Sequence, residues 1–261
     1  MADSAPQSLE PKLLAYVDIL GSKERIANDV VSAVKAVGVL HAVAKFDQDR
    51  KEEFSKGGLA FGETLHTSTF SDTIVFSCKP NTDDAGVLLW NVQMLCVFLL
   101  MKGNYTRGAI TLDGLLHQQS TIVGKALIEA HALEQQIAVY PRIVVTDTAA
   151  ELLKSTRINS RTPKGPCQLR RDFDDLPTLD IFGFMPNGMR SRDMHARALG
   201  CKAIVEVDLA HTREVTCYPS QVVALNHRAK YAWMLAYLEK VLSDPIDPAT
   251  DGQQTDPVAW P

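Results

Sequence analysis

Two aspartates stand where the surrounding sequence makes a carboxylate costly. Asp18 lies inside residues 13–19, LLAYVDI, an apolar run that ends at Gly21. A continuous apolar run of that length reads as a central strand covered on both faces, and a charge in it needs a partner or a metal. Asp72 follows 54 positions later, flanked by Phe70 and Ile74, in the joint Ser71-Asp72 between two β-like runs, 65–70 and 73–78. A two-residue polar joint between β-branched and aromatic runs is a hairpin signal. Paired carboxylates are hard oxygen ligands suited to Mg²⁺ or Mn²⁺, which in turn hold substrate phosphates. The turn Leu20-Gly21-Ser22-Lys23 opens the next helical segment, and backbone N–H groups at a helix N-terminus cradle phosphate. Each feature also has a plain structural reading. Asp72 suits a turn, Lys23 a solvated helix face, and Arg107, beside Gly108, an ion pair within the fold.

These residues need elements to bring them together. From Ser22, a plausible N-cap, the pattern turns helical, with Ile26, Val30, Ala33, Val37 and Leu40 at three-to-four spacing, and a helix is expected to about Phe46. A charged patch, 47–53, and a loop, 55–63, follow. After the hairpin comes a long apolar helix to Met101, which Asp83 or Asp84 could cap and Gly103-Asn104 stops. Residues 105–116 read as strand. Gly124 opens a helix over 126–137, 142–146 (RIVVT) is a strand, and Asp147 caps a short helix to Leu153. The order β-α-β-β-α-β-α-β-α predicts an α/β (α+β) chain with split βαβ character, similar to a ferredoxin-like palm. In that palm the end of the first strand and the hairpin are adjacent, so Asp18 and Asp72 are expected to converge. Beyond residue 154, a basic stretch to 171 reads as a solvated loop or, less simply, as a flap over a triphosphate. One or two strands are expected over 168–184, and two additional C-terminal helices over 189–209 and 219–242. The expected divisions are a flexible N-terminus, 1–12, a core, 13–155, its C-terminal completion, 156–242, and a loose tail, 243–261.

Composition narrows the function classes. The chain has 261 residues, 46% of them apolar, and 27 basic against 31 acidic residues leave a formal net charge of −4. Nothing overall is basic, so a generic nucleic-acid binder is disfavoured and no nucleic-acid partner is expected. The five cysteines, Cys78, Cys96, Cys167, Cys201 and Cys217, are odd in number and never spaced as CxxC. That argues against a zinc site or a disulfide framework and for a reducing cytoplasm. The first dozen residues are polar and do not read as a signal peptide. The most apolar run, 87–101, holds Asn91 and Gln93 and is too short to cross a bilayer core. A buried helix is expected there, and no membrane partner.

The motifs taken in order resemble the class III nucleotidyl cyclase homology domain. They are YVDILGSK at 16–23, FSDTIVFS at 70–77, RGAITLDG at 107–114 and GKALIEAHALE at 124–134. With YPRIVV at 140–145 the pattern is most similar to bacterial pyrimidine cyclases of Pycsar anti-phage systems. The resemblance covers about residues 13–155. It implies a homodimer with active sites at the subunit interface. It implies that Asp18 and Asp72, with the Ile19 carbonyl, hold two divalent ions. One ion would activate the ribose 3′-hydroxyl and the other would bind the triphosphate, and pyrophosphate would leave. Leu20, Gly21, Ser22, Lys23 and Ser71 would contact the nucleotide. A separate effector protein would read the cyclic product.

The chain departs from the purine-specific members of that family. Their last motif carries an Asn and an Arg that contact substrate and transition state, and counting back from Leu133-Glu134 those positions here are Ile128 and Ala132. Another cation must substitute, with Arg107 ranked before Lys23 and the 154–171 stretch, or the protein is inactive. Three readings therefore stand in order. The first is a cyclase acting on UTP, with CTP next. The second is a non-catalytic cyclase-like module that binds nucleotide or dimerises. The third is a palm-type transferase that joins nucleotides.

Overall fold

A computed structural model of the chain describes residues 9–21, 29–56, 64–118, 121–154, 169–183, 191–214 and 220–246. In chain order the elements are β1 (Pro11–Ile19), α1 (Val30–Lys56), β2 (His66–Phe70), β3 (Thr73–Cys78), α2 (Thr82–Leu100), β4 (Thr106–Gln118), β5 (Thr121–Gly124), α3 (Lys125–Gln136), β6 (Ile143–Val145), α4 (Asp147–Leu153), β7 (Leu169–Arg171), β8 (Pro177–Leu179), α5 (Arg192–Glu214) and α6 (Ser220–Ser243). The strands form one mixed sheet in the order β2-β3-β1-β4-β6-β8-β7, with β5 folded back on β4. β1 is antiparallel to both β3 and β4, and β4 is parallel to β6. The strand order 2-3-1-4 with β-α-β-β-α-β connectivity is the ferredoxin-like palm expected from the sequence.

The two faces of β1 explain its unbroken apolar run. Leu13, Ala15, Val17 and Ile19 face a large core with Leu40 of α1 and Leu88, Val92 and Leu95 of α2. Leu14 and Tyr16 face a smaller core with Val75, Ala109, Leu115, Ala126 and Ala130. Alternate residues thus enter different cores, the pleat rule applied to a strand with helices on both sides. α2 is long and apolar enough to cross a membrane by length and composition alone, but it is mostly buried inside this fold. Its polar Asn91 and Gln93 are buried too, and Gln93 donates to the Asp180 carbonyl at 2.7 Å, which ties α2 to the chain after β8.

Several expectations need correction. β1 begins at Pro11, and Leu115 N–H bonds the Glu10 carbonyl at 3.0 Å, so Pro11 and Lys12 belong to the sheet and Glu10 is tied to β4. α1 does not stop near Phe46 but continues through the charged patch to Lys56, because Gln, Arg, Lys and Glu are good helix formers and no Gly or Pro stands between Phe46 and Gly57. The N-cap of α2 is Asn81, whose side chain accepts from the Asp83 and Asp84 N–H groups. Asp84 instead accepts from the Asn81 amide at 2.8 Å and from the Thr64 hydroxyl. The N-cap of α4 is Thr146, with Asp147 already helical. β5 was not anticipated, since four residues joined to β4 give too little periodicity to read. α5 runs five residues beyond the expected end, to Glu214. Most of the basic stretch, Cys167, Cys217 and the tail beyond residue 246 lie outside the described residues. Cys78, Cys96 and Cys201 are buried thiols without a disulfide.

Candidate active site

The C-terminal end of β1 is where the polar residues gather. Antiparallel pairing sets Asp18 opposite Thr73 of β3 on one side and Arg107 of β4 on the other, so Thr73, Asp18 and Arg107 form a row on one sheet face. This row continues the face of Leu14 and Tyr16, and an apolar stripe therefore ends in a carboxylate. The hairpin turn lies beside it. Ser71 takes φ +55°, as the first central residue of a two-residue hairpin loop must, and the Asp72 carbonyl accepts from Ile19 N–H at 3.1 Å. Leu20 N–H bonds the Tyr105 carbonyl at 2.8 Å, and Gly21 turns the chain away with φ +75°.

The electrostatics are unbalanced toward negative charge. The Asp18 side chain is 14% exposed and lies 3.7 Å from Arg107 Nε. It accepts a hydrogen bond from the Thr73 hydroxyl at 3.0 Å. Burial, reinforced by the charges of Asp72 and Glu134, nevertheless pushes the Asp18 carboxyl up to about 6, the Thr73 bond and Arg107 offsetting only part of this. Burial raises the neighbouring Tyr16 hydroxyl as well, with Asp18, Glu134 and Asp72 adding to it. Asp72 and Glu134 add negative charge around Asp18, with Arg107 the cation beside it among the described residues, and such a setting favours an added cation.

Glu134 reaches this site from α3. The buried residues of that helix are Ala126, Ala130 and Glu134, one stripe at four-residue spacing. Two alanines let the helix settle close on the sheet, with the Thr111 hydroxyl donating to the Ala126 carbonyl at 2.9 Å, and the third member is a carboxylate. Glu134 is 0% exposed, and its Oε1 stands 2.5 Å from Arg107 Nε. That contact is an ion pair by separation, but its alignment is poor and neither atom completes a hydrogen bond. The other oxygen accepts from the Gln135 amide at 2.7 Å. Arg107 is 21% exposed, and its terminal NH₂ groups complete no hydrogen bond among the described residues.

Gly108 makes this closeness possible. A Cβ there would lie 2.0 Å from the Tyr16 carbonyl oxygen, so any side chain would force β4 from β1 beside the Asp18–Arg107 pair.

The structure brings together Asp18, Asp72, Ile19 and Arg107, and places Leu20, Gly21 and Ser71 at the same end of the sheet. Ser22 and Lys23 lie outside the described residues. Ile128 and Ala132, read as standing where the resembled family carries an Asn and an Arg, offer nothing polar: Ile128 is 71% exposed and Ala132 half-buried. The described members of the basic stretch are engaged elsewhere. Arg170 stacks on the Tyr237 ring at 4.0 Å, Arg171 pairs with Asp175 at 3.2 Å, and Lys154 pairs with Glu151. Arg170 and Arg171 sit on β7, four strands from β1, around a cavity of about 180 Å³ shared with Asp147 and Glu151. Sequence reasoning missed Thr73, Tyr16 and the role of Glu134. The signals were present: Thr73 follows Asp72, Tyr16 shares a face with Asp18 at period two, and Ala126-Ala130-Glu134 is a helical stripe.

Among the described residues no group of three His, Cys, Asp or Glu side chains converges as a complete metal cage. His117 is fully buried, but its ring nitrogens meet the Ser68 and Ser77 hydroxyls at 2.9 and 2.8 Å. Two neighbouring carboxylates still fit a magnesium-type ion, which commonly takes one or two carboxylates and completes its shell with water and substrate phosphate.

No family profile matches the sequence, and no curated protein matches it. Solved structures similar to the chain include a bacterial light-regulated adenylyl cyclase, with TM-score 0.40 and 15% identity over 68% of this chain and 93% of that one. Another is a class III adenylyl cyclase-like ATP-binding protein from Pseudomonas aeruginosa, with TM-score 0.37 and 10% identity over 57% of this chain and 37% of that one. A second structure of a bacterial light-regulated adenylyl cyclase has TM-score 0.38 and 13% identity, covering 77% and 59% of the two chains.

Proposed function

We propose that the protein is a nucleotidyl cyclase that converts a pyrimidine nucleoside triphosphate, UTP before CTP, to its 3′,5′-cyclic monophosphate and pyrophosphate. The observation that carries this reading is the placing of Asp18 and Asp72 at the end of β1, where the Asp72 carbonyl accepts from Ile19 N–H and the two carboxylates are close enough for Asp72 to help raise Asp18 to about 6. Asp18, Asp72 and the Ile19 carbonyl would hold two divalent ions, Mn²⁺ or Mg²⁺. Bound there, such ions supply the charge that neutralises a triphosphate and acidifies a ribose 3′-hydroxyl. The chain's own residues do the rest. The sequence resemblance supports phosphate contacts from Gly21, Ser22, Lys23 and Ser71, whereas the Leu20 N–H is already bonded to the Tyr105 carbonyl and leaves Leu20 only a shaping role in that turn. Arg107, with its outer N–H groups uncommitted, offsets charge that grows on the α-phosphate as the 3′-oxygen attacks phosphorus and pyrophosphate leaves.

The sequence resemblance supports a homodimer with shared active sites, and exposed apolar side chains suit one: Phe70 at the hairpin, Val123 on β5 and Ile128 on α3. The resemblance also supports a second-messenger role in anti-phage defence, read out by a separate effector, and the odd number and irregular spacing of the cysteines support a cytoplasmic location. A second reading, nucleotide binding without turnover, draws on Ile128 and Ala132 standing where an Asn and an Arg are expected.

The test incubates purified protein with ATP, GTP, CTP and UTP separately, with Mn²⁺ or Mg²⁺, and identifies products by mass. One cyclic monophosphate with pyrophosphate, lost in Asp72→Ala, is the expected result. Nucleotide binding without product favours the second reading, and a linear dinucleotide favours a transferase that joins nucleotides.

A further inference from the structure

We propose that Glu134 is a positioning residue that holds Arg107 off Asp18 and so keeps the metal-binding carboxylate open. The inference rests on the cyclase reading but concerns a residue that reading leaves unassigned. Arg107 lies in register with Asp18 across β1 and β4, on the same sheet face, with no residue between them. Left with that neighbour alone, its guanidinium would close on Asp18 as an ordinary cross-strand ion pair and occupy the space a cation needs. Instead Nε sits 2.5 Å from Glu134 Oε1 and 3.7 Å from Asp18 Oδ2. The nearer anion comes from a different element, the last turn of α3, and it is completely buried. Burying a carboxylate without full hydrogen bonding is costly. Glu134 Oε1 completes no hydrogen bond, so packing alone does not account for its choice over a third alanine in the stripe. The placement does have a consequence at the site: Arg107 is drawn to Glu134 and stays 3.7 Å from Asp18, beyond hydrogen-bond distance, so its hold on the Asp18 carboxylate is the weaker of the two.

The experiment measures Mn²⁺ binding directly, from the electron paramagnetic resonance signal of free Mn²⁺, on the full chain without nucleotide. Wild type, Asp18→Asn, Glu134→Gln, Arg107→Gln and the double variant Glu134→Gln/Arg107→Gln are compared, each checked for a cooperative thermal melt. In Glu134→Gln, Mn²⁺ affinity is expected to fall about 10-fold or more, within the range seen when a partner behind a metal ligand is lost. In the double variant, affinity is expected to return to that of Arg107→Gln, because the intruding cation is gone. A purely structural role for Glu134 gives no such rescue. Glu134→Asp, one methylene shorter, is expected to fall between wild type and Glu134→Gln, and decides the matter if the Gln variant does not fold. Unchanged affinity in Glu134→Gln, or a double variant no better than Glu134→Gln, overturns the inference. Wild-type protein whose Mn²⁺ binding is absent or indifferent to Asp18→Asn overturns the metal reading itself, and this inference with it.

Discussion

Replacing Asp18 with Asn is expected to stabilise the metal-free protein while abolishing its response to metal. The folded chain raises the Asp18 carboxyl from 3.8 to about 6, so the native state holds that proton more tightly than the unfolded state. By linkage, stability from this group is full below the unfolded value and is lost as pH rises through about 6. Each unit is worth about 1.4 kcal/mol, so the ionised carboxylate costs the fold up to about 3 kcal/mol at neutral pH and above. The attraction of Arg107 is already contained in that shift, and Asn keeps an acceptor for the Thr73 hydroxyl, 3.0 Å away, though a weaker one than a carboxylate. A net gain of about 2 kcal/mol remains, or roughly 4–8 °C in melting temperature for a chain of this size. The assay is a thermal melt with chelator from about pH 5 to about pH 8. The gap between variant and wild type should open as pH rises and nearly close at the acid end. Mn²⁺ should then raise the wild-type midpoint, by binding only the native state, and leave the variant unmoved. A variant less stable than wild type at about pH 8, or a gap that ignores pH, would refute the reasoning.

Other outcomes follow from the same geometry. Mn²⁺ affinity should weaken as pH falls through about 6, because Asp18 must release its proton to bind, and titrations across that range read this directly. Asp72→Ala should lower turnover on the order of 100-fold or more, beyond what loss of a partner behind a ligand alone brings, with its melting curve still cooperative. Gly108→Ala puts a Cβ 2.0 Å from the Tyr16 carbonyl and should cost about 3 kcal/mol, seen in urea unfolding. Arg142→Met removes the guanidinium that bonds Asp172 at 2.8 Å and Asp174 at 2.5 Å. It should also cost about 3 kcal/mol, since a buried pair is broken from one side. Because the Arg142 side chain bonds Asp172 and Asp174 and not Asp18 or Asp72, and its carbonyl bond to Gly108 survives the substitution, Mn²⁺ binding by the folded fraction should be unchanged.

The elements that carry the site were legible in the sequence for local reasons. Residues 13–19 are apolar at every position but one, and only a strand buried on both faces uses such a run. The Ser71-Asp72 joint between β-branched runs announced its hairpin, and α2 announced itself by length and composition. The elements misjudged were those decided by neighbours. The end of α1 had no Gly or Pro to mark it between Phe46 and Gly57. β5 exists because β4 is there to pair with. The cap of α2 went to Asn81 because Thr64, twenty residues back, engages Asp84.

By itself the sequence determined where carboxylates stand in segments that otherwise read as buried strand or tight turn. Asp18 is a carboxylate in a strand with no local partner, and Asp72 sits at a turn, and both facts are one-dimensional. What only the tertiary structure decided is the company they keep. Register across β1 and β4 selects Arg107 as the neighbour of Asp18, and Gly108 lets the strands approach. The packing of Ala126 and Ala130 on the sheet delivers Glu134, 116 positions after Asp18, to the same few ångströms. Ion pairing and desolvation depend on distance in space and on the burial that other elements impose, and neither can be read from one segment of chain alone.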